Sequence, residues 1–176
     1  MGLHFRVVPS DFDESGVTQW PPEEHVLVSA TAKASDVALR VRDAVVIGAD
    51  TVVVVDDSIL GKPGDEEDAR RMLRLLSGRS HHVFTGLCVI RRMKGETVRS
   101  LRDCVRTEVR FGELTPEIID AYIATGEPRD KAGAYGIQER GSVLVEGIAG
   151  DYFNVVGLPV YRLSRMLWEV GVPLFG

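Results

Sequence analysis

A carboxylate stands where a buried strand should exclude one. Within Val45 to Pro63, VVIGADTVVVVDDSILGKP, a run of Val and Ile reads as a strand buried on both faces. Gly48-Ala49-Asp50-Thr51 sets an acid and a hydroxyl inside that run. Burying a charge without a partner is costly, so Asp50 calls for a cation. After a turn at Asp56-Asp57-Ser58, the sequence Gly61-Lys62-Pro63 returns a lysine on a rigid corner. An acid in a strand with a lysine following shortly suggests a site for a metal ion and a phosphate.

Other residues could join that site. Pro9 to Ser15 holds a cluster of acids, which is either a solvated turn or a source of a second ligand, Asp13 or Glu14, for a divalent cation shared with Asp50. Lys33 lies beside a stripe of Ala and Val. It is either a surface lysine laying its stem along apolar side chains or a phosphate contact, and the pattern leaves both open. Arg129 to Gln138, RDKAGAYGIQ, combines two glycines, small residues and an Asp130-Lys131 pair, as expected of a loop that passes close to a ligand or of a turn-rich linker. Its spacing matches neither the Walker nor the dinucleotide-binding pattern. His81-His82 has no Cys or carboxylate at ligand spacing, so zinc is not expected there.

These residues need elements to hold them. Leu3 to Val8 alternates and predicts a short strand. Pro21-Pro22-Glu23-Glu24 opens a helix to about Arg40, whose Ala30, Ala34, Val37 and Ala38 form a small-residue packing face. A second helix follows Asp65, with Ala69, Met72, Leu73 and Leu76 on one face, and stops at Ser77-Gly78-Arg79. The acids at its start compensate the helix dipole. His82 to Arg91 and Val98 to Phe111 read as antiparallel strands, and Thr115-Pro116 caps a helix to about Thr125. Val143 to Ile148 is a further strand, Gly150 to Asn154 a polar interruption, and Leu158-Pro159 starts a last helix through Val170.

Composition limits what the site can serve. The 176 residues suit one domain, and 44% hydrophobic with 27% charged residues is an ordinary globular composition. A net charge of −5 argues against nucleic acid or an anionic membrane as partner, so an anionic substrate must be met by local lysines and arginines. Cys88 and Cys104 lack metal-type spacing and are expected to be reduced core residues. No apolar run is long enough to span a membrane and no signal peptide opens the sequence, which points to the cytoplasm.

Taken together, several motifs carry a resemblance that covers the chain in order. They are Asp13-Glu14, Ala32-Lys33-Ala34, Gly48 to Val53 (GADTVV), Gly61-Lys62-Pro63, Leu76 to Arg79 (LSGR), Thr85-Gly86, Asp130 to Gln138 (DKAGAYGIQ) and Gly150 to Pro159 (GDYFNVVGLP). The sequence resembles the Maf (septum-formation) family of nucleoside triphosphate pyrophosphatases. That resemblance implies an α/β fold related to inosine-triphosphate pyrophosphatases, with an elongated mixed β-sheet flanked by helices and two lobes around a nucleotide cleft. It implies hydrolysis of a nucleoside triphosphate to the monophosphate and pyrophosphate with a divalent metal cation, Mg or Mn, and a homodimer. Asp50 matches the family's proton acceptor, and Glu14 a residue that helps at the metal with it. Lys33 and Lys62 match phosphate contacts, while Lys131 and Arg79 fall in matching motifs and become candidates to bind substrate.

Two positions address the base. Thr51 after the aspartate and Gln138 at the end of the glycine-rich loop resemble the branch acting on dTTP and UTP; a second branch, with Gln and Glu at those places, resembles enzymes for 7-methyl-GTP. A glutamine amide offers a donor and an acceptor, which suits the O4/N3–H edge of thymine or uracil. The family normally opens with a strand and a Ser-x-Ser-Pro-Arg-Arg loop ahead of the Gly2 to Phe5 match, and this sequence starts at Met1 without them. Truncation or a late start is therefore expected, with an open sheet edge and with Arg79, Arg129 or Arg140 as partial substitutes. Two competing readings stand beside a pyrimidine nucleotide pyrophosphatase: a nucleotide- or partner-binding protein without turnover, tied to cell division, and the same reaction on ITP or 7-methyl-GTP.

Overall fold

The computed structural model describes residues 2–13 and 20–175. In chain order these form α1 (Pro22–Leu39), β1 (Ala44–Val55), β2 (Ser58–Leu60), α2 (Glu66–Leu76), β3 (Ser80–Met93), β4 (Glu96–Phe111), α3 (Pro116–Ile123), β5 (Val145–Ala149), α4 (Tyr152–Val156) and α5 (Val160–Glu169). Three short 3₁₀ turns lie between α3 and β5. The strands form one five-stranded sheet in the order β2-β1-β3-β4-β5. The mixed sheet expected from the resemblance pairs antiparallel at both edges, β1 with β2 and β4 with β5. Asp56 and Asp57 both have positive φ, 48° and 60°, which is what a tight β1–β2 hairpin demands.

The chain divides into two compact units, each drawn from separated segments: residues 1–50, 85–105 and 157–176 in the first, 51–84 and 106–156 in the second. In the first unit, β-strand alternation explains why the apolar runs are unbroken. Val46, Cys88 and Ile90 pack with Ala30, Ala34 and Ala38 of α1, whereas their neighbours Val45, Leu87 and Val89 pack with Leu163, Met166 and Leu167 of α5. A strand covered by a helix on each face needs apolar residues at every position.

Two glycines set how closely α1 approaches. A Cβ on Gly48 would stand 2.3 Å from the Ala30 carbonyl oxygen, and one on Gly86 2.3 Å from the Val26 carbonyl oxygen. With Ala at 30 and 34, helix backbone rests almost on strand backbone. Gly48→Ala is therefore expected to cost about 1–3 kcal/mol through overpacking, read as a lower urea midpoint with an unchanged slope.

In the second unit, α2 and α3 cover Val53, Val55, Val83, Val109 and Phe111 with the predicted stripe Ala69, Met72, Leu73 and Leu76. Asp65 caps α2 by accepting from the Asp68 N–H, and Thr115 caps α3 by accepting from the Ile118 N–H. Gly78, at φ +66°, ends α2 as expected.

Three expectations need correcting. Leu3 to Val8 forms no strand: Phe5 and Val7 are 84% and 78% exposed, and alternation without a neighbouring ladder does not make a strand. The polar interruption at Gly150 to Asn154 contains the start of a short helix, α4, with Asp151 Oδ1 accepting from the N–H groups of Phe153 and Asn154. Val143 lies in a 3₁₀ turn, and the last strand begins at Val145. Cys88 and Cys104 are both free thiols, and burial pushes both up, Cys104 to about 12.

Candidate active site

Strand periodicity decides which way Asp50 points. Residues 46, 48 and 50 share one face of β1, the face against which α1 packs. Lys33 on α1 donates from Nζ to Asp50 Oδ1 at 2.7 Å, with side chains 22% and 11% exposed. The buried carboxylate thus receives the cation its position requires, and Lys33 is no mere surface lysine. The pair forms because Gly48 admits the helix, so an inflexible backbone contact sets a short, charge-assisted hydrogen bond.

A third residue joins them. His25 Nε2 lies 3.8 Å from Asp50 Oδ2, and that imidazole is largely buried. His25, Ser29 and Lys33 follow one another at four-residue intervals, on the face of α1 that meets β1. Sequence reasoning passed over His25; its spacing of eight residues from Lys33 was the available signal.

The second unit gathers other candidates. The Gly133 N–H donates to the Gly61 carbonyl at 3.0 Å, which ties the Gly61-Lys62-Pro63 corner to the glycine-rich loop. Gly133 has φ +68°, and a Cβ there would press on Val53 at about 3 Å. Lys131 Nζ bonds Asp130 Oδ1 at 2.9 Å and holds that carboxyl below the usual carboxylate range, with Lys62 adding a weaker electrostatic pull. Lys131 is thus paired with its own neighbour Asp130. Lys62 and Gln138 are exposed. Arg79 is placed differently: its guanidinium pairs with Asp56 Oδ1 at 2.6 Å and braces the β1–β2 turn. Thr51 follows Asp50 on β1 and is half-buried. Glu14 lies outside the described residues.

A divalent cation fits the donor chemistry of Asp50. Among the described residues no three metal-binding side chains cluster. Magnesium, however, needs only one or two protein carboxylates when substrate phosphates supply other oxygens, and Asp50 is such a carboxylate.

A model of the family described as Maf-like protein matches residues 1–170. The chain belongs to the Maf family. Similar proteins include the dTTP/UTP pyrophosphatase of Moorella thermoacetica, 51% identical over 177 residues that span 100% of this chain and 89% of that protein. The dTTP/UTP pyrophosphatase of Dictyoglomus thermophilum is 48% identical over 175 residues, 99% of this chain and 89% of its own length. That of a Bacillus cereus strain is 47% identical over 171 residues, 97% of this chain and 82% of its own. No helix among the described residues is long and apolar enough to cross a membrane.

Proposed function

We propose that this Maf protein hydrolyses dTTP and UTP to the nucleoside monophosphate and pyrophosphate. The observation that carries the reading is the Lys33–Asp50 contact at 2.7 Å within the Gly-Ala-Asp-Thr motif. Relatives at about half identity over the full chain, bearing that activity in their names, support it.

Water attacks the α-phosphorus, the bond from that phosphorus to the bridging oxygen breaks, and pyrophosphate leaves. Asp50 accepts the proton of the attacking water at Oδ2, while the Lys33 ammonium on Oδ1 fixes the orientation of the carboxylate. His25 closes the other side of that carboxylate. Lys62 and Lys131 supply positive charge to phosphate oxygens, whose charge grows as the bond breaks. Glu14 and Asp50 would hold a Mg²⁺ or Mn²⁺ ion, which supplies further charge neutralisation at the phosphates. The Gln138 amide pairs with the O4/N3–H edge of the base, and the Thr51 hydroxyl contacts the nucleotide. Arg79 reaches substrate only if it leaves Asp56. The protein acts in the cytoplasm on free nucleotides, as a homodimer by family resemblance, and its net negative charge supports the exclusion of nucleic acid.

A panel of nucleoside triphosphates with magnesium or manganese tests this, read as pyrophosphate release. dTTP and UTP are expected to exceed dCTP, ITP and 7-methyl-GTP by about tenfold or more in kcat/KM. A purine preference, or orthophosphate as the product, overturns the reading.

A further inference from the structure

The loop that carries Lys131 and Gln138 is folded over a carboxylate to which no role has been given. Glu127 Oε1 accepts from the Tyr122 hydroxyl at 3.0 Å and from the Gly141 N–H at 3.1 Å, and Oε2 accepts from the Arg140 N–H at 3.2 Å. The Tyr122 hydroxyl in turn accepts from the Gly136 N–H at 3.2 Å. Both ends of the segment from Gly136 to Gly141 are thus anchored on one side chain, directly or through Tyr122.

Two glycines make the arrangement tight. A Cβ on Gly136 would stand 2.7 Å from Lys131 Cε, and one on Gly141 2.1 Å from the Gly136 carbonyl oxygen and 2.7 Å from the Tyr122 hydroxyl. The stem of Lys131 therefore lies directly over Gly136. Gln138 sits between the anchored amides, exposed, with its backbone extended at φ −85° and ψ 170°. On the opposite side of the loop, Tyr135 is fixed in the core through its 2.7 Å contact with His81. The loop has a core anchor at Tyr135 and a carboxylate anchor at Glu127, and the exposed Gln138 follows buried Ile137 within the segment whose two ends the carboxylate anchor holds.

We propose that Glu127 is the positioning residue of this loop, setting where the Lys131 ammonium and the Gln138 amide stand and thereby the choice of base. This rests on the pyrimidine nucleotide reading above. All three groups that meet the Glu127 carboxylate are donors, a demand that a carboxylate meets and a carboxamide does not. Glu127→Gln has nearly the same shape and turns an NH₂ group toward at least one of those donors.

The test uses the full chain and two readouts. In turnover of dTTP with magnesium, Glu127→Gln is expected to raise KM about tenfold and to lower kcat by a smaller factor, because the Gln138 contact acts in binding while displacement of Lys131 also weakens charge stabilisation as the bond breaks. The dTTP preference over dCTP should fall by a similar factor. Tyr122→Phe, which cuts the link to Gly136, should show the same split. Separately, binding of the non-hydrolysable α,β-imido analogue of dUTP, followed by calorimetry, should weaken about tenfold in Glu127→Gln. A wild-type protein that binds the analogue without turning over dTTP would sink the enzymatic reading and leave the positioning role to be decided by the binding data. Unchanged analogue affinity and unchanged dTTP over dCTP preference in Glu127→Gln would overturn the proposal. A loss of kcat equal for every nucleotide, with a lowered melting temperature, would also overturn it and make Glu127 a fold-stabilising residue only.

Discussion

Asp50→Asn is expected to lower pyrophosphate release from dTTP by about 10²–10⁴ while leaving the fold intact, the range that general acid–base groups supply. Asparagine keeps the shape of the side chain and one oxygen to accept from Lys33, so the close packing of α1 on β1 at Gly48 is undisturbed. It has no oxygen able to take a proton from water. The Lys33 ammonium loses the negative charge it faces, but it stays 22% exposed to water and keeps an oxygen acceptor, which limits the stability lost with this largely buried pair. The distinguishing result is a melting temperature within a few degrees of wild type together with nearly absent turnover, and binding of the imido analogue that is retained in part. A variant keeping a tenth of wild-type kcat would remove Asp50 from the role of proton acceptor and leave it as an anchor for Lys33.

That Asp50 needed a cation was legible in the sequence, because a strand buried on both faces cannot leave a charge unpaired. That the cation is Lys33 was not. The contact depends on how near α1 comes to β1, which Gly48 and Gly86 control from two different strands. Periodicity describes one element at a time and says nothing of the distance between two. The same limit hid His25, which shares a face with Lys33 but gains meaning only opposite Asp50.

Helices α2 and α3 were readable almost to the residue, since their caps and stripes are local. The stretch from Leu3 to Val8 misled because it has the alternation of a strand, yet among the described residues it has no ladder. The glycine-rich loop was recognised by family resemblance, but its anchoring was out of reach. Glu127 reaches amides 13 and 14 residues away, and such side-chain to backbone bonds leave no pattern in the sequence.

Acidification is expected to withdraw about 3 kcal/mol of stability through one buried histidine between pH 6.5 and about 4. His81 is 1% exposed and stacks edge-on between Phe111 and Tyr135, at 5.0 and 5.3 Å between ring centres. Its Nε2 meets the Tyr135 hydroxyl at 2.7 Å, while Nδ1 has no hydrogen-bond partner among the described residues. A proton added at Nδ1 would bury a charge and a donor with nothing to receive it. Burial is the main cause, with neighbouring His82 adding repulsion, and together they lower the His81 pKa from 6.5 to about 4.

The direction follows from which state takes up the proton. Below pH 6.5 the unfolded chain protonates His81 and the folded chain does not, so stability falls as pH falls until the folded imidazole also titrates near 4. Above 6.5 the contribution is complete. Surface carboxylates such as exposed Asp56 and half-buried Asp68, held below their usual range chiefly by a hydrogen bond from Arg79 and from the Gly64 N–H respectively, lose their contributions at still lower pH. His81→Gln isolates the effect, because it keeps a hydrogen-bonding group for Tyr135 and has nothing to titrate. Urea midpoints at constant ionic strength should show the wild-type advantage over His81→Gln shrinking as the pH drops from 7 to 4. Parallel curves across that window would mean that His81 is protonated as readily in the folded protein as in the unfolded chain. The aromatic cage holding Tyr135, and with it the core anchor of the glycine-rich loop, would then have to tolerate a buried charge.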